Sequence, residues 1–407
     1  VTENTVGLYL KNIENSTIQW ETTTKYNVGL EGSFLNNRLH AGLDLYWHKT
    51  DDLLTLKELN FVSGMNKYWT NEGAMTNKGF EVNVNAALIN KKNWKWELGA
   101  SMGHYNNKVT DLPNTTNNRI EIYKNVYNPA TESWTSVEDG TIHGFTNSVY
   151  GNENILTAVG YAAGSFYGWQ TNGVFASDAE ASKATTAPGT NGYLLYPTGM
   201  KENPYRNFQA GDVRFVDQNN DGVINDDDQK PIGYRDVPEI FYGFGASAEW
   251  RGLDFSFFFK GVDRVSLNMM SQASYLVTGL TSTDGGLETS NMLADLYQNY
   301  WTPDRPNAKY PRLTNLVNST NNTLTSDYWM RDASYISLQN VELGYTFPAK
   351  WTTKMRMSAL RVYFQGQNLL TFSDFKLWDP NLTGAGGGNV FSYPTTRVFS
   401  FGISASF

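Results

Sequence analysis

The stretch that decides the fold is YPTTRVFSFGISASF, residues 393–407. From Arg397 onward, large apolar side chains alternate with small ones that are mostly serine and glycine. This period of two predicts a β-strand, because successive side chains of a strand point to opposite faces. Such a strand fits a soluble sandwich, and it equally fits a membrane barrel with lipid outside and a lumen inside. The large face comprises Phe399, Phe401, Ile403, Ala405 and Phe407.

The composition narrows the class of protein. The chain has 407 residues, a net charge of −8, no cysteine and 14% aromatic residues. The missing cysteines exclude disulfides and thiolate metal sites, and the acidic balance argues against a nucleic-acid partner. No apolar run approaches the ~20 residues of a transmembrane helix. Val1 opens directly into polar sequence without a signal-peptide pattern, which we interpret as a processed chain or the later part of a longer one.

Eight further stretches alternate in the same way and form four hairpins. A change of phase near Gln339 and Asn340 predicts a β-bulge. Asn36-Asn37 and Arg251-Gly252 are predicted hairpin turns, and residues 56–74 read as a looser connection. The predicted strands pair 25–34 with 39–48, 80–88 with 94–102, 240–250 with 253–260, and 335–347 with 360–372.

The connections between the nine predicted strands alternate between short and long. The longest are residues 111–236 and 265–334. A sandwich has no reason to place every long loop at one end, whereas a membrane barrel has short periplasmic turns and longer external loops. We therefore predict an all-β, transmembrane, antiparallel β-barrel with long extracellular loops. Nine is an odd count, so we expect the C-terminal part of a larger barrel.

Tryptophans near the strand ends suit the aromatic girdles at the two membrane interfaces. They are Trp20, Trp47, Trp94, Trp250 and Trp351.

The long loop at 111–236 contains the segment DQNNDGVINDDD, residues 217–228. Its oxygen ligands follow the order of an EF-hand loop, with Gly222 at the sharp turn and Asp in place of Glu at position 12. No helix pattern flanks it, so we predict a structural Ca²⁺ site and not a sensor; the alternative is a polar turn that binds nothing. Ile224 is expected to anchor the loop on apolar neighbours. The predicted ligands are Asp217, Asn219, Asp221, the backbone carbonyl of Val223, Asn225 and Asp228.

Several longer segments, in this order, resemble the SusC/RagA family of TonB-dependent outer-membrane transporters of Bacteroidota. They are spread along nearly the whole chain. They include NKGFEVNVNA at 77–86, GSFYGWQTNGVF at 164–175, GDVRFVDQNNDGVINDDDQKPIG at 211–233, YWTPDRPNAKYPRL at 300–313 and SYISLQNVELGYTFP at 334–348. The resemblance implies a 22-stranded barrel plugged by an N-terminal domain. On this mapping, residues 1–407 are the C-terminal part of the barrel and carry its last nine or so strands, without the plug and the N-terminal strands.

The resemblance also implies a function and partners. We expect import of an oligosaccharide or oligopeptide across the outer membrane, with a SusD-like surface lipoprotein as lid and TonB acting through a plug. The barrel wall would contact outer-membrane lipid, including lipopolysaccharide. The alternatives are a secreted, Ca²⁺-stabilised carbohydrate-binding or hydrolytic β-protein, and a siderophore or cobalamin receptor of the same architecture. The sequence has no nucleophile elbow, P-loop or nucleotide fingerprint, so we predict no enzymatic activity and no catalytic or cofactor-binding residue.

The loops are rich in large aromatic residues. These side chains are candidates for stacking on sugar rings, and packing of loop against loop or against a lid is the alternative. The candidates are Tyr167, Trp169, Tyr193, Tyr196, Tyr205, Tyr297, Trp301 and Trp378.

Overall fold

The computed structural model describes most of the chain. The described residues are 14–59, 67–113, 119–128, 133–149, 153–181, 208–218, 224, 226–270, 280–283, 286–289, 292–313, 322, 324–382 and 393–407. Within these ranges, no helix is long and apolar enough to cross a membrane.

One antiparallel sheet of nine strands dominates the fold, and its strands follow one another in chain order. With all strands numbered along the chain, they are β1 (Thr22–Phe34), β2 (Leu39–Glu58), β3 (Lys67–Lys91), β4 (Trp94–Asp111), β12 (Ile240–Trp250), β13 (Leu253–Asp263), β18 (Tyr335–Thr346), β19 (Ala359–Ser373) and β20 (Val398–Ser406). These are the nine predicted strands, and the prediction of an all-β antiparallel fold is confirmed.

The remaining elements lie in the connections between those strands. Those following β4 are β5 (Arg119–Asn128), β6 (Ser133–Val149), β7 (Glu153–Ala158), β8 (Ser165–Trp169), β9 (Thr171–Val174), α1 (Asp178–Ala181), β10 (Val213–Phe215) and β11 (Gln229–Pro231). Those following β13 are β14 (Ser266–Asn268), β15 (Leu280–Thr283), β16 (Gly286–Thr289), α2 (Ala294–Asn299) and β17 (Met330–Asp332), and α3 (Ala349–Thr352) precedes β19. The long connections are therefore folded structures, with small sheets of their own.

The large sheet has an apolar face and a polar face, and the strand register keeps them separate. On the apolar face, Phe401 opposes Phe364, which opposes Leu343 and then Phe255. One residue along, Ser400 opposes Gln365, Glu342 and Ser256 in turn. The apolar face is open: Phe401 is 84% and Ile403 is 75% exposed. An exposed apolar surface of this extent marks an interaction with another apolar medium or partner.

The two ends of the sheet differ. At the short-turn end, Asn36 and Asn37 adopt positive φ, as do Arg251 and Gly252, so both predicted turns are confirmed. Trp94 and Trp250 are direct cross-strand partners at this end and both are exposed. At the opposite, long-loop end, the chain leaves through 59–66, 112–239, 264–334 and 374–397.

The bulge predicted near Gln339 is present. Between β13 and β18, Phe258 opposes Asn340 and Phe259 opposes Leu338, so Gln339 is an extra residue. The bulge changes the phase of β18, which keeps Leu338 on the same face as Val341. Without it, one half of the strand would turn its apolar side chains toward the polar face.

One prediction about the strands is wrong. The sequence between 56 and 74 reads as a loose connection, yet β2 and β3 continue to pair there, through Leu56 with Trp69 and Glu58 with Lys67. Two-faced alternation is needed only where one face is apolar. Pairing itself needs only backbone hydrogen bonds and strand-forming residues such as Thr and Trp, so it extends beyond the alternating pattern.

Candidate functional site

At the long-loop end, segments from the two long connections fold together into one layer, which we call the loop layer. It comprises residues 155–175, 208–216, 228–235, 265–270, 292–313 and 324–333. It attaches to the sheet through β4, where the Val109 N–H donates to the Tyr161 carbonyl, 2.8 Å away. Three of the sequence segments that resemble the SusC/RagA family, at 164–175, 211–233 and 300–313, meet in this layer.

A buried carboxylate joins the two long connections. Asp212 is 5% exposed. Its Oδ1 accepts from Arg312 Nε at 2.5 Å and from Asn322 Nδ2 at 2.9 Å, while its Oδ2 accepts from the Gln209 N–H at 2.8 Å. Asn322 Oδ1 in turn accepts from the Val213 N–H at 2.8 Å. We call Asp212, Arg312 and Asn322 the interloop clamp. Three of these four hydrogen bonds join groups about a hundred residues apart in the chain, so the clamp fixes the relative position of the two connections.

Backbone contacts reinforce the clamp. The Trp169 N–H donates to the Thr325 carbonyl at 3.1 Å, beside a β-bridge between Trp169 and Ser326. At Gly168 an added Cβ would lie 2.2 Å from that same carbonyl oxygen, so the two connections approach closely only because this position is glycine. Thr171 Oγ1 donates to Asp327 Oδ1 at 2.5 Å, and burial raises the pKa of Asp327.

Two apolar clusters lie on either side of these contacts. The first contains Trp169, Phe175, Ala181, Phe208, Val213, Phe215 and Ile224. The second contains Val262, Val265, Leu267, Met269, Met270, Leu296, Tyr310, Trp329, Ala333, Tyr335 and Phe375. Burial raises the pKa of Tyr328, which packs against both clusters. The loop layer therefore has a core of its own.

The clusters account for several of the aromatic residues proposed for sugar stacking. Trp169 and Tyr167 are buried, and Trp378 packs on the second cluster. Tyr297 is exposed, at 65%. Tyr193, Tyr196 and Tyr205 lie outside the described residues. For the buried residues, packing between loops is the role that the structure supports.

The acidic segment at 217–228 begins two residues after Phe215 of the first cluster and closes back on itself. Asp228 is fully buried, and its Oδ1 accepts from the Gln218 N–H at 2.7 Å, so the last predicted ligand lies beside the second residue of the segment. Ile224 is 5% exposed in the first cluster, which confirms the predicted anchor. Asn219, Asp221, Val223 and Asn225 lie outside the described residues. Among the described residues, no group of three His, Asp or Glu side chains is arranged to hold a metal ion.

Side chains around this segment connect it to other parts of the first long connection. Lys230 Nζ donates to Gln218 Oε1 at 2.8 Å, and Gln218 Nε2 donates to Gln170 Oε1 at 3.1 Å. Burial lowers the pKa of Lys230, and the nearby charge of Asp327 opposes that shift. Gln170, Gln218, Asp228 and Lys230 thus form one polar network around the ends of the acidic segment.

The polar face of the large sheet carries a separate concavity. A cavity of about 740 Å³ lies against β3, β4, β12 and β13, near the short-turn end. Its floor is made mainly of amides, hydroxyls and glycines, with Phe258 lying over Gly243 and Gly245. Closer to the turns, Arg361 Nε donates to Asp254 Oδ2 at 3.1 Å and Arg361 also pairs with Glu342 at 2.5 Å. This face offers hydrogen bonds and charge to whatever occupies the interior.

Comparison with known proteins agrees with this architecture. A family model described as "TonB dependent receptor-like, beta-barrel" matches residues 4–198. TonB-dependent receptor P26 of Formosa agariphila is 27% identical over 414 residues, covering 98% of this chain and 36% of that protein. TonB-dependent receptor SusC of Bacteroides thetaiotaomicron is 27% identical over 395 residues, covering 97% of this chain and 32% of that protein. The chain therefore spans about a third of the length of these relatives.

A solved structure shares the fold over the whole chain. The structure of the RagAB peptide transporter matches with a TM-score of 0.65 and 22% identity, covering 100% of this chain and 38% of the solved one. The β-barrel of TonB-dependent receptors is a fold of outer-membrane proteins, and receptors of the SusC/RagA type are transporters without enzymatic activity. With its nine-stranded meander and its two-faced sheet, the chain is similar to part of the β-barrel of TonB-dependent receptors of the SusC/RagA type.

Proposed function

We propose that this chain forms part of the wall of an outer-membrane importer for oligosaccharides or oligopeptides. The observation that carries the proposal is the sheet itself. Its apolar face is open over the full width, and the loops at one end fold into a layer with its own core. A continuous exposed apolar face suits lipid, and the polar face suits a lumen. A secreted β-protein would have to cover that apolar face, so its exposure argues against this alternative.

In the proposed assembly, the two edge strands β1 and β20 pair with further strands of a 22-stranded barrel, and a plug fills the interior. The cavity on the polar face and the Arg361 pairs face that interior. A SusD-like lipoprotein lid would sit on the loop layer, and TonB would supply energy through the plug. Import would then depend on binding and gating, and no covalent step is required.

The test is uptake by cells that carry the full-length receptor. Strains with and without the gene would be grown on defined oligosaccharides or on defined oligopeptides as the limiting nutrient. We expect loss of growth on one of the two classes, and loss of co-purification of a surface lipoprotein when the loop layer is disrupted. Recovery of the receptor from culture supernatant, or a defect confined to iron-siderophore or cobalamin uptake, would contradict the proposal.

We further propose that residues 217–228 bind Ca²⁺ as a structural staple. The support is threefold: the spacing of oxygen ligands, the buried Asp228 brought beside the start of the loop, and the buried Ile224. The ligands would be Asp217, Asn219, Asp221, the carbonyl of Val223, Asn225 and Asp228. Extracellular Ca²⁺ modules typically bind with Kd of about 10⁻⁴–10⁻³ M, so the site would be filled outside a cell.

Calorimetric titration of the purified receptor with Ca²⁺ tests this proposal. We expect one site, absent in Asp221→Ala. Asp227→Asn is the matched control, because Asp227 is an exposed neighbour outside the predicted ligand set. Limited proteolysis between 208 and 235 should slow when Ca²⁺ replaces a chelator. Equal heats of binding in wild type and Asp221→Ala would remove the proposal.

A further inference from the structure

Three lysines lie together on the apolar face of β2, β3 and β4, just beyond the apolar side chains. Lys49 opposes Thr76, which opposes Lys108, and one step nearer the short-turn end Trp47 opposes Lys78. Residues in register on neighbouring strands share a face, so these side chains continue the face that carries Leu45, Phe80 and Val82. We call Lys49, Lys78 and Lys108 the basic rim.

The basic rim lies at a defined height above the apolar belt. On β4, the belt runs from Trp94, at the short-turn end, to His104, which stacks on Phe80 at 5.7 Å. At about 3.3 Å per residue and a tilt of about 40°, this stretch spans roughly 25 Å along the membrane normal, the height of the apolar band of such barrels. Lys108 then lies about 10 Å higher, in the headgroup layer, and a lysine side chain can reach several ångströms back toward the belt.

The charge of the basic rim is only partly balanced. Lys49 pairs with Asp51 at 2.8 Å. Lys78 lies over the Trp47 ring, with Nζ 5.5 Å from the centroid. Among the described residues, neither Lys78 nor Lys108 has a carboxylate within ion-pair distance, and all three lysines are exposed. The rim therefore presents a net positive charge beside an aromatic side chain of the interfacial type.

Elsewhere at the long-loop end, the same face is different. β12 and β13 end in Ile240 opposite Asp263, and β18 and β19 carry Ile336 opposite Phe372. On β12, β13, β18 and β19 these positions carry no basic residue, and before β20 the face carries the single residue Arg397, so among the described strands the cluster of three lysines is particular to β2–β4. A local cluster of lysines at headgroup height, above an apolar belt, complements phosphate groups on a lipid.

We propose that the basic rim binds the phosphates of an anionic lipid of the outer leaflet, with Trp47 and the belt below contacting its acyl chains. This inference rests on the proposed placement of the apolar face in the outer membrane. The lipid would be a phosphorylated glycolipid of the lipid A type, because it must combine closely spaced phosphates with acyl chains in the leaflet next to the long loops.

The test uses the full-length receptor, after its recovery in the outer-membrane fraction has been established. If the receptor is absent from that fraction, the proposed function fails; the lipid measurement is informative only on a receptor found there. Binding of diphosphoryl lipid A, dephosphorylated lipid A and inorganic phosphate would be measured by native mass spectrometry in a neutral detergent. We expect diphosphoryl lipid A to bind at least about tenfold more tightly than the dephosphorylated form.

Variants of the rim make the test specific. Lys78→Gln with Lys108→Gln should weaken binding about thirtyfold, since each lysine near an anionic surface contributes about 1 kcal/mol. Lys78→Arg with Lys108→Arg should retain binding, which separates loss of charge from misfolding. Lys95→Gln with Lys260→Gln is the matched control, because these lysines lie on the polar face. Equal binding of both lipids, an equal loss in the control, or competition by millimolar inorganic phosphate would overturn the proposal.

Discussion

Replacing Asp212 by Asn should release the loop layer without unfolding the large sheet. The groups that contact this carboxylate are Arg312 Nε and Nη2, Asn322 Nδ2 and the Gln209 N–H, and all of them are donors. An amide has one acceptor end and one NH₂ end, so Asn at this position must direct N–H groups at another donor. The change also leaves Arg312, whose side chain is 23% exposed, without its ion-pair partner.

The expected cost follows from burial. Breaking a fully buried ion pair by removing one partner costs about 3–5 kcal/mol. Water can reach part of Arg312, so we expect less, about 2–3 kcal/mol, which corresponds to roughly a 30- to 150-fold change in an opening equilibrium. The sheet is held by its own backbone ladder, so this loss should appear as local opening of the loop layer.

Hydrogen exchange of the full-length receptor, resolved by mass spectrometry, measures that opening. We expect exchange to accelerate by the stated factor in 208–216 and also in 324–329, which contacts the clamp from the other connection. Arg214→Gln is the matched control two residues along the chain, because its pair with Glu180 is about one-third exposed on both sides. Such pairs contribute less than about 1 kcal/mol. Acceleration confined to 208–216, or equal effects of the two variants, would refute the view that Asp212 joins the two connections.

Three further changes test other parts of the fold. Deletion of Gln339 should remove the bulge and place Leu338 and Ile336 on the polar face, so the yield of folded receptor in outer membranes should fall severely. The control variant Gln339→Ala keeps the bulge and should assemble normally. Normal assembly of the deletion would contradict the role of the bulge. Gly168→Ala should accelerate hydrogen exchange in both long connections, because its Cβ would meet the Thr325 carbonyl. Gly99→Ala is the control and should not accelerate it, because the nearest neighbour of an added Cβ there is a side-chain atom 3.0 Å away. Identical hydrogen exchange in the two variants would count against the close approach at Gly168. Hydrogen bonds from Lys309 and Tyr310 lower the pKa of Asp295 against the effect of burial. The stability that this carboxylate adds should therefore be constant above about pH 4 and should vanish as the pH falls through the lowered pKa. The measurement is the difference in hydrogen-exchange protection of 294–310 between wild type and Asp295→Asn, and a difference that persists unchanged at about pH 2 would contradict this.

The large sheet was predictable from the sequence because its two faces have different surroundings, and these impose an alternating pattern of apolar and polar residues on each strand. Each strand must place apolar side chains on one face and polar side chains on the other, so alternation, and even its interruption at Gln339, is visible in the sequence. Above the apolar belt this requirement ends. β2 and β3 continue there through residues such as Thr55 and Thr70 without alternation, so the two strands predicted from the pattern are shorter than the observed ones.

The interloop clamp was not predictable in the same way. Asp212 and Arg312 are separated by 100 positions, and nothing in the local pattern of either segment indicates the other. One signal was present: Asp212 lies in a short strand-like run between Gly211 and Val213, where a lone carboxylate is costly unless a partner satisfies it. That signal predicts a buried partner but not its identity. The same limit applied to the aromatic residues, since an aromatic that packs and one that binds sugar look alike in sequence.

The position of the acidic segment relative to the clamp explains why a metal at this place would act on both connections. The segment begins four residues after Val213, and Gln218 is linked to Lys230 and Gln170, while the adjacent Thr171 donates to Asp327 in the other connection. A Ca²⁺ ion held at 217–228 would therefore order the segment 212–215, which includes Asp212, as well as the loop itself. If so, chelation of Ca²⁺ and Asp212→Asn should open the same residues, 208–216 and 324–329, and their effects should combine less than additively because both act on one contact. Additive effects would instead mean that the acidic segment and the clamp stabilise the loop layer independently.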